Sequence, residues 1–279
     1  MANPLPLFNK KGMIQTREYY EQFPLMGQRP GRKKSGVTAR QLPSGVMELV
    51  GYDPTVGVTE VSDLFDNDFE AGNLTEWTGS VTDNGTAVAS TSANKNGTYG
   101  GRLTYDGVDG DLNLYETLGG YEDDVYARAW FRFSSGFTIG AAWKQFRIIG
   151  ISETATSTPL VALCLQQDGV DSFSWKIQVN YTPFTGTNSS YGSLDTNWKR
   201  LELHYHNNGG TGDDVARAKI YDYDDTPIWD SGDFTHESTS HDIDTVWFGG
   251  LGHTGFPANG DYIDMDECAA GTIGWLGDV

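Results

Sequence analysis

Two stretches of the sequence alternate polar and apolar residues, and each gathers reactive side chains on one face. They are WKRLELHYH (198–206) and VARAKIYD (215–222). Because the side chains of a β-strand point alternately to its two faces, every second residue shares a face. The polar residues grouped in this way are Arg200, Glu202, His204, His206, Arg217, Lys219 and Tyr221. Arginine and histidine neutralise a carboxylate, and lysine and tyrosine move protons, so these groups suit β-elimination on a uronic-acid polymer.

Two further stretches, VYARAWFRF (125–133) and FSWKIQVN (173–180), carry basic and aromatic side chains at alternate positions. If the polar faces of all four stretches coincide, they form one basic and aromatic groove. The candidate glycan-binding residues are Arg128, Trp130, Arg132, Lys176, His204, His206, Lys219 and Tyr221. The outer face of any half-exposed sheet gives the same alternation, so a purely structural role stays open.

The elements that must position these residues are short strands. Strands are predicted at 100–105, 112–118, 125–133, 144–151, 159–166, 173–180, 198–206, 215–222, 245–250 and 261–269. Clusters of Gly, Asn, Asp and Ser separate them, as in NKNGTYGG and NNGGTGDD, and no helical period of apolar residues is sustained. The sequence therefore predicts an all-β sandwich or barrel over residues 63–279.

The same part of the chain resembles known domains. DFEAGNLTEW (68–77) resembles the opening of MAM domains and of several carbohydrate-binding modules, and YIDMDE (262–267) resembles their last strand. The segment VYARAWFRFSSGFTIGAAWKQFRIIGI is similar to the central strands of concanavalin-A-like polysaccharide lyases and laminin-G-like domains. The resemblance covers nearly all of residues 63–279 and implies a concanavalin-A-like jelly-roll β-sandwich.

The resemblance also implies a structural calcium ion. In similar modules the first and last strands lie side by side, and carboxylates there hold Ca²⁺ together with backbone carbonyls. Carried over by position, the candidate ligands are Glu70 and Asp264 or Asp266. The ion takes six to eight oxygens at about 2.3–2.6 Å, so carbonyls and waters must complete the shell. The spacing Asp-Met-Asp-Glu departs from the adjacent acids of those modules, and acids that cap turns or face solvent are the alternative.

Composition and spacing disfavour several functional classes. No stretch approaches the roughly 18 apolar residues of a membrane span. The two cysteines, Cys164 and Cys268, form neither a disulfide framework nor a zinc-type spacing. The Glu-x-Asp-x-Glu carboxylates of jelly-roll glucanases are absent, which argues against a retaining glycosidase. The basic segment QRPGRKKS (28–35) lacks interleaved aromatic residues, so we do not expect nucleic-acid binding.

Charge divides the chain near residue 62. Residues 1–62 hold eight basic and five acidic residues, a net charge of +3, whereas residues 63–279 hold 11 basic and 33 acidic ones, a net charge of −22. Six prolines interrupt the first segment, so we expect an extended, mostly irregular N-terminal arm. The side chains predicted to anchor this arm on a partner are Leu7, Phe8, Phe23, Arg29, Arg32, Lys33 and Lys34.

A basic arm joined to an acidic sandwich predicts a structural attachment protein of a larger assembly. The layout is similar to that of bacteriophage decoration and surface proteins, and the start, MANPLPLFNKKGM, lacks the apolar segment of a secretory signal. We therefore expect a virion protein, assembled in the host cytoplasm, that contacts other subunits through residues 1–62 and binds glycans through the jelly roll. We assign no catalytic residue. The alternatives are a polysaccharide lyase and a free-standing, extracellular carbohydrate-binding module.

Overall fold

The computed structural model describes the chain in separate ranges. They are 39–41, 47–49, 64–140, 144–153, 159–168, 172–179, 189–192, 194–209, 213–237, 242–252 and 255–277. The chain divides into two compact units, residues 1–60 and residues 61–278. The predicted anchoring side chains of the arm, Leu7 to Lys34, lie outside the described residues.

In the first unit, two short strands pair with each other. Strands β1 (Ala39–Gln41) and β2 (Met47–Leu49) run antiparallel, and their register places Arg40 opposite Glu48. Three residues is the lower end of strand length, so this pair is a minor element of regular structure.

In the second unit, every described element of regular structure is a strand. The strands are β3 (Phe65–Asn67), β4 (Gly79–Thr82), β5 (Gly85–Ser90), β6 (Gly100–Tyr105), β7 (Asp111–Glu122), β8 (Asp124–Phe133), β9 (Lys144–Ser152), β10 (Val161–Gln167), β11 (Phe173–Val179), β12 (Ser189–Gly192), β13 (Lys199–His206), β14 (Asp213–Tyr221), β15 (Pro227–Asp230), β16 (Phe234–Glu237), β17 (Ile243–Gly252) and β18 (Tyr262–Gly271). All ten strands expected from the alternation are present, which confirms the all-β prediction. Across the described ranges, no helix has the length and apolar character that crossing a membrane requires.

The strands form two antiparallel sheets that make a sandwich. One sheet has seven strands in the order β12-β11-β10-β9-β17-β7-β4. The other follows the path β15-β14-β13-β8-β18-β6-β5, with β16 also paired to β14 and β3 to β18. The two late strands β17 and β18 lie between early ones, as the long connections of Greek-key topologies require. The structure therefore has the jelly-roll arrangement that the resemblance implied.

The core lies between the inner faces of the two sheets. Strand β8 supplies Phe131 and Phe133 to it, and β11 supplies Trp175, whose ring centroid lies 6.3 Å from that of Phe133. All three side chains are fully buried or nearly so. Fully burying a large apolar side chain stabilises a fold by about 1.5–3 kcal/mol, so the many aromatic residues compensate for a low overall hydrophobic content.

The segment DFE lies at one edge of the core, beside the last strand. Strand β3 pairs with β18, with Asn67 opposite Cys268, as the comparison with similar modules suggested. Phe69 is completely buried with φ at 60°, and its ring packs 5.7 Å from that of Trp77. A left-handed Phe is strained, so this turn is held by the packing of its aromatic ring.

Candidate functional site

The seven-stranded sheet is polar on the face that points away from the core. In β10 and β11 every second side chain packs into the core, and in β9 the alternation resumes after the adjacent core residues Ile148 and Ile149, so the residues between the core positions point outward. Six polar residues at these outward positions are buried: Gln145, Arg147, Gln166, Ser174, Lys176 and Gln178. We call this set the polar trough. Buried polar groups are costly unless they are hydrogen-bonded, so a whole row of them on one sheet face points to a binding function.

Small residues form the floor of the polar trough. Cys164 in the central strand β10 lies opposite Lys176 on one side and Arg147 on the other. Its neighbour on the same face, Ala162, lies opposite Gly150 of β9. Because these floor residues are short, the longer polar side chains on both sides stand above them.

An aromatic ring borders the polar trough. Trp247 of β17 lies opposite Gly150, and a methyl group at this glycine would lie 2.0 Å from the indole ring. The indole is fixed further by a hydrogen bond of 3.2 Å from its Nε1 to Ser152 Oγ, and Tyr115 of β7 packs beside it. An aromatic surface next to amide and cationic groups is the combination that binds the apolar face and the hydroxyl groups of a sugar.

Hydrogen bonds connect the polar side chains of the trough. Lys176 Nζ donates to Gln166 Oε1 at 2.6 Å, and Gln145 Nε2 donates to the same oxygen at 3.0 Å. Arg147 Nε donates to Gln178 Oε1 at 2.8 Å. Burial lowers the pKa of Lys176, although the nearby Asp168 opposes this effect. Lys176 and Arg147 thus each donate to the amide oxygen of a neighbouring glutamine.

Two buried groups of the trough lack a partner. Within the part of the chain that the structure describes, Ser174 Oγ and Gln178 Nε2 make no hydrogen bond. Leaving such a group unpaired costs about 1–3 kcal/mol, so a ligand hydroxyl that pairs with it recovers free energy. In contrast, burial raises the pKa of Cys164 to about 12, and its thiol therefore stays protonated and unreactive.

Most of the predicted glycan-binding residues lie on the other sheet. Only Lys176 belongs to the trough. The outward face of the nine-stranded sheet carries Arg128, Trp130, Arg132, His204, His206, Lys219 and Tyr221. The polar faces of β8, β13 and β14 therefore coincide, whereas β11 belongs to the opposite sheet. The role of these residues in glycan binding stays a prediction.

The end of the chain covers part of this outward face. The ring of Trp275 lies 5.5 Å from that of Tyr126, and Lys219 Nζ lies 4.0 Å from the Trp275 centroid. Arg128 Nη1 donates a hydrogen bond of 2.8 Å to the carbonyl of Leu276. These groups of the nine-stranded sheet are thus engaged by the chain itself.

Charges on the nine-stranded sheet pair with one another. Arg217 Nη2 lies 2.7 Å from Asp230 Oδ2 in an ion pair on its outward face. In the middle of the face, Glu202 is only 1% exposed, and burial raises the pKa of its carboxyl against the opposing attraction of Arg200 and Arg128. Many charges of this face are thus paired, whereas both carboxylate oxygens of Glu202 and Nδ1 of His206 make no hydrogen bond among the described residues.

The three predicted calcium ligands are already engaged by protein donors. Asp264 accepts hydrogen bonds from Arg102 and Arg132, each at 2.6 Å, and Glu70 and Asp266 each accept from backbone N–H groups of the β5–β6 loop. Nowhere in the described ranges do three or more His, Cys, Asp or Glu side chains form a group that could hold a metal ion. As placed, the three carboxylates do not fit a shared calcium ion.

Most residues of the trough were not predicted from the sequence. Gln145, Arg147 and Gln166 were absent from the candidate residues. The signal was present, because β9 and β10 were predicted as strands and their polar residues alternate with aliphatic ones. Because β9 and β10 are almost continuously apolar, they were predicted as strands of the core and their polar residues were not assigned to a site.

Comparison with known proteins finds solved structures that are similar to this chain. Cellulose induced protein Cip1 is 15% identical in sequence with a TM-score of 0.50, over 75% of this chain and 97% of Cip1. The carbohydrate esterase vb_24B_21 of the Shiga toxin-encoding bacteriophage phi24B is 16% identical with a TM-score of 0.42, over 69% and 90% of the two chains. The carbohydrate binding module CBM66 of Bacillus subtilis is 13% identical with a TM-score of 0.36, over 70% and 96%. No protein-family model and no curated protein matches the sequence.

The likeness to Cip1 shows the fold. The described residues between 64 and 277 form a concanavalin-A-like jelly roll, and Cip1, at 15% identity, shares this fold.

Proposed function

We propose that the protein binds a glycan chain along the polar trough of its seven-stranded sheet. The observation that carries the proposal is the row of six buried polar side chains on one sheet face, bordered by Trp247. Here amide and cationic donors stand beside a floor of small residues, and the buried ring of Trp247 packs against that floor.

Matched lysine substitutions on the two sheets test the site. In a binding assay against a panel of polysaccharides, Lys176→Met should lower the affinity for the bound glycan about tenfold or more, because it removes a charged hydrogen-bond donor. Lys219→Met makes the same change on the nine-stranded sheet and should leave the affinity unchanged. Loss of binding in Lys219→Met alone would move the site to the other sheet. A protein that binds no polysaccharide would refute the function.

A polysaccharide lyase is the second candidate, favoured by Lys176 and Arg147. They flank Cys164 in register, and burial lowers the pKa of Lys176, which eases the loss of the proton that a base must give up before it acts. Arg147 would neutralise a uronate carboxylate while Lys176 takes the neighbouring C5 proton. The C4–O bond then breaks, and the ammonium returns the proton to the leaving oxygen. The same polysaccharide panel distinguishes the candidates, because a lyase releases unsaturated uronates that absorb ultraviolet light and a binding protein does not.

We propose further that residues 1–62 attach this glycan-binding sandwich to a larger assembly, as in a decoration or surface protein of a virion. The support is the opposite net charge of the two segments, +3 against −22, together with the prolines and apolar residues of the arm. Exposed ion pairs contribute little each, so apolar side chains such as Phe8 and Phe23 are the expected source of affinity. Deleting residues 1–62 tests this attachment.

A further inference from the structure

The loop that joins β5 to β6 is bound to the last strand by a carboxylate. In this loop, residues 91–99, the backbone N–H groups of Lys95 and Asn96 donate to Asp266 Oδ2 at 2.7 and 3.1 Å. The other oxygen, Asp266 Oδ1, accepts the N–H of Glu267 at 2.9 Å. Both carboxylate oxygens of Asp266 therefore face the positive ends of N–H dipoles.

The side chain of Lys95 brings a full positive charge into the same corner. Its Nζ lies 3.5 Å from Glu267 Oε2 and 3.9 Å from the centroid of the Trp130 ring. The two partners of this ion pair are largely buried, with side-chain exposures of 6% for Lys95 and 9% for Glu267. Asn96 Nδ2 donates to the second oxygen of the same carboxylate. The ammonium is therefore held between a carboxylate and the face of an indole.

A local irregularity of the last strand helps to create this arrangement. The register of β18 against β8 shifts between Asp266 and Ala269, and Glu267 has φ at 48°. A left-handed conformation is costly for a glutamate, so its persistence indicates that surrounding contacts hold it. The contacts available are those that the Glu267 carboxylate makes with Lys95 and Asn96.

The remaining carboxylates of the corner have donors of their own. Asp264, whose side chain is fully buried, lies 2.6 Å from Arg102 Nε and 2.6 Å from Arg132 Nη2. Glu70 Oε1 accepts two successive backbone N–H groups of the β5–β6 loop at 2.7 and 2.8 Å. Donors that approach a carboxylate lie where a bound cation would lie, and their positive ends repel a second positive charge.

We propose that the Lys95 ammonium takes the place of a metal ion at this corner. It neutralises Glu267 and fastens the β5–β6 loop to the last strand, so the fold needs no calcium there. Calcium requires six to eight oxygen ligands, whereas the acids here are turned toward N–H groups, guanidinium groups and an ammonium. Removing the ammonium would leave the Glu267 carboxylate without its cationic partner, and added calcium then tests whether a divalent cation can supply the missing charge.

Melting temperatures measured in chelator and in excess calcium chloride test whether the Lys95 ammonium takes the place of a metal ion. For the wild-type protein the two values should agree. Lys95→Ala should melt lower in chelator by at least about 3 °C, and calcium should recover part of this loss. Lys95→Arg, which keeps the charge, should show no response to calcium. The double variant Lys95→Ala/Glu267→Gln should also show none, because the carboxylate that would bind the ion is gone.

Three results would overturn the proposal. If chelator lowers the melting temperature of the wild-type protein but not that of Lys95→Ala/Glu267→Gln, a metal ion at this corner stabilises the fold. If Lys95→Ala melts like the wild-type protein, or if calcium does not stabilise Lys95→Ala, the Lys95 ammonium does not take the place of a metal ion. Should Lys95→Ala fail to fold without calcium and fold when calcium is present, the proposal is supported in its strongest form.

Discussion

Glu202 shows how burial changes the chemistry of a single residue. Its carboxyl is 1% exposed on the nine-stranded sheet, and desolvation raises its pKa above the ordinary value of 4.5. A carboxyl whose folded pKa is raised contributes stability that is fully present below its unfolded pKa. This contribution is lost as the pH rises through the folded pKa, because the buried group must then ionise.

A glutamine at this position removes the titration and keeps the shape. We expect the free energy of unfolding of the wild-type protein to fall, relative to Glu202→Gln, as the pH rises from below 4.5 to above it. Urea unfolding of both proteins across this range measures the difference. Parallel curves for the two proteins would show that the carboxyl is not perturbed by burial.

At the scale of the elements, strand β9 carries both the core and the trough. Its inward residues pack in the core, its outward residues Gln145 and Arg147 line the trough, and Gly150 makes room for the Trp247 ring. The glycine is therefore required by a close approach between neighbouring strands rather than by its backbone angles.

Alanine substitutions at two strand glycines test this role. Gly150→Ala should lower the free energy of unfolding by about 1–3 kcal/mol, because the new methyl group overlaps the indole of Trp247. Gly119→Ala in β7 is the control, since nothing lies within 4 Å of its added methyl group. This control should be neutral or stabilising by less than about 1 kcal/mol. Equal effects of the two substitutions in urea unfolding would show that the Trp247 ring yields to the added methyl group.

The strands that the sequence predicted and those that it missed differ in burial. Strands β8 to β11 were predicted because they carry continuous or alternating apolar residues that the core requires. The short strands β4 and β5 were missed, and in the structure they are only partly buried. A strand that buries little apolar surface needs little hydrophobic sequence, so periodicity gives no signal for it.

At the scale of the whole molecule, the net charge is +3 over residues 1–62 and −22 over residues 63–279. The core residues described for the sandwich run from Phe65 to Ala270, all within the second unit. A unit that contains its own hydrophobic core can fold by itself. This supports treating residues 63–279 as an independent folding unit.

Deletion of residues 1–62 tests both the autonomy of the sandwich and the role of the arm. We expect the shortened protein to be folded, to unfold cooperatively on heating and to bind the same glycan as the full chain. We also expect it to be absent from assembled particles into which the full chain is incorporated, as measured by co-sedimentation. Normal incorporation of the shortened protein would refute attachment through the arm, and an unfolded product would refute the autonomy of the sandwich.

Lys176 and Lys219 show what the sequence determined and what the tertiary structure decided. Both lie in alternating strands, and the period of two was enough to place each lysine on the outward face of its own strand. The period did not show that β11 joins the seven-stranded sheet through β10, while β14 joins the other sheet through β13. These pairings depend on contacts between strands that are distant in the chain. They alone bring Gln145, Arg147 and Trp247 onto the same sheet as Lys176. Local alternation therefore fixed the all-β class and the face of each residue, and long-range strand pairing decided which residues form a site.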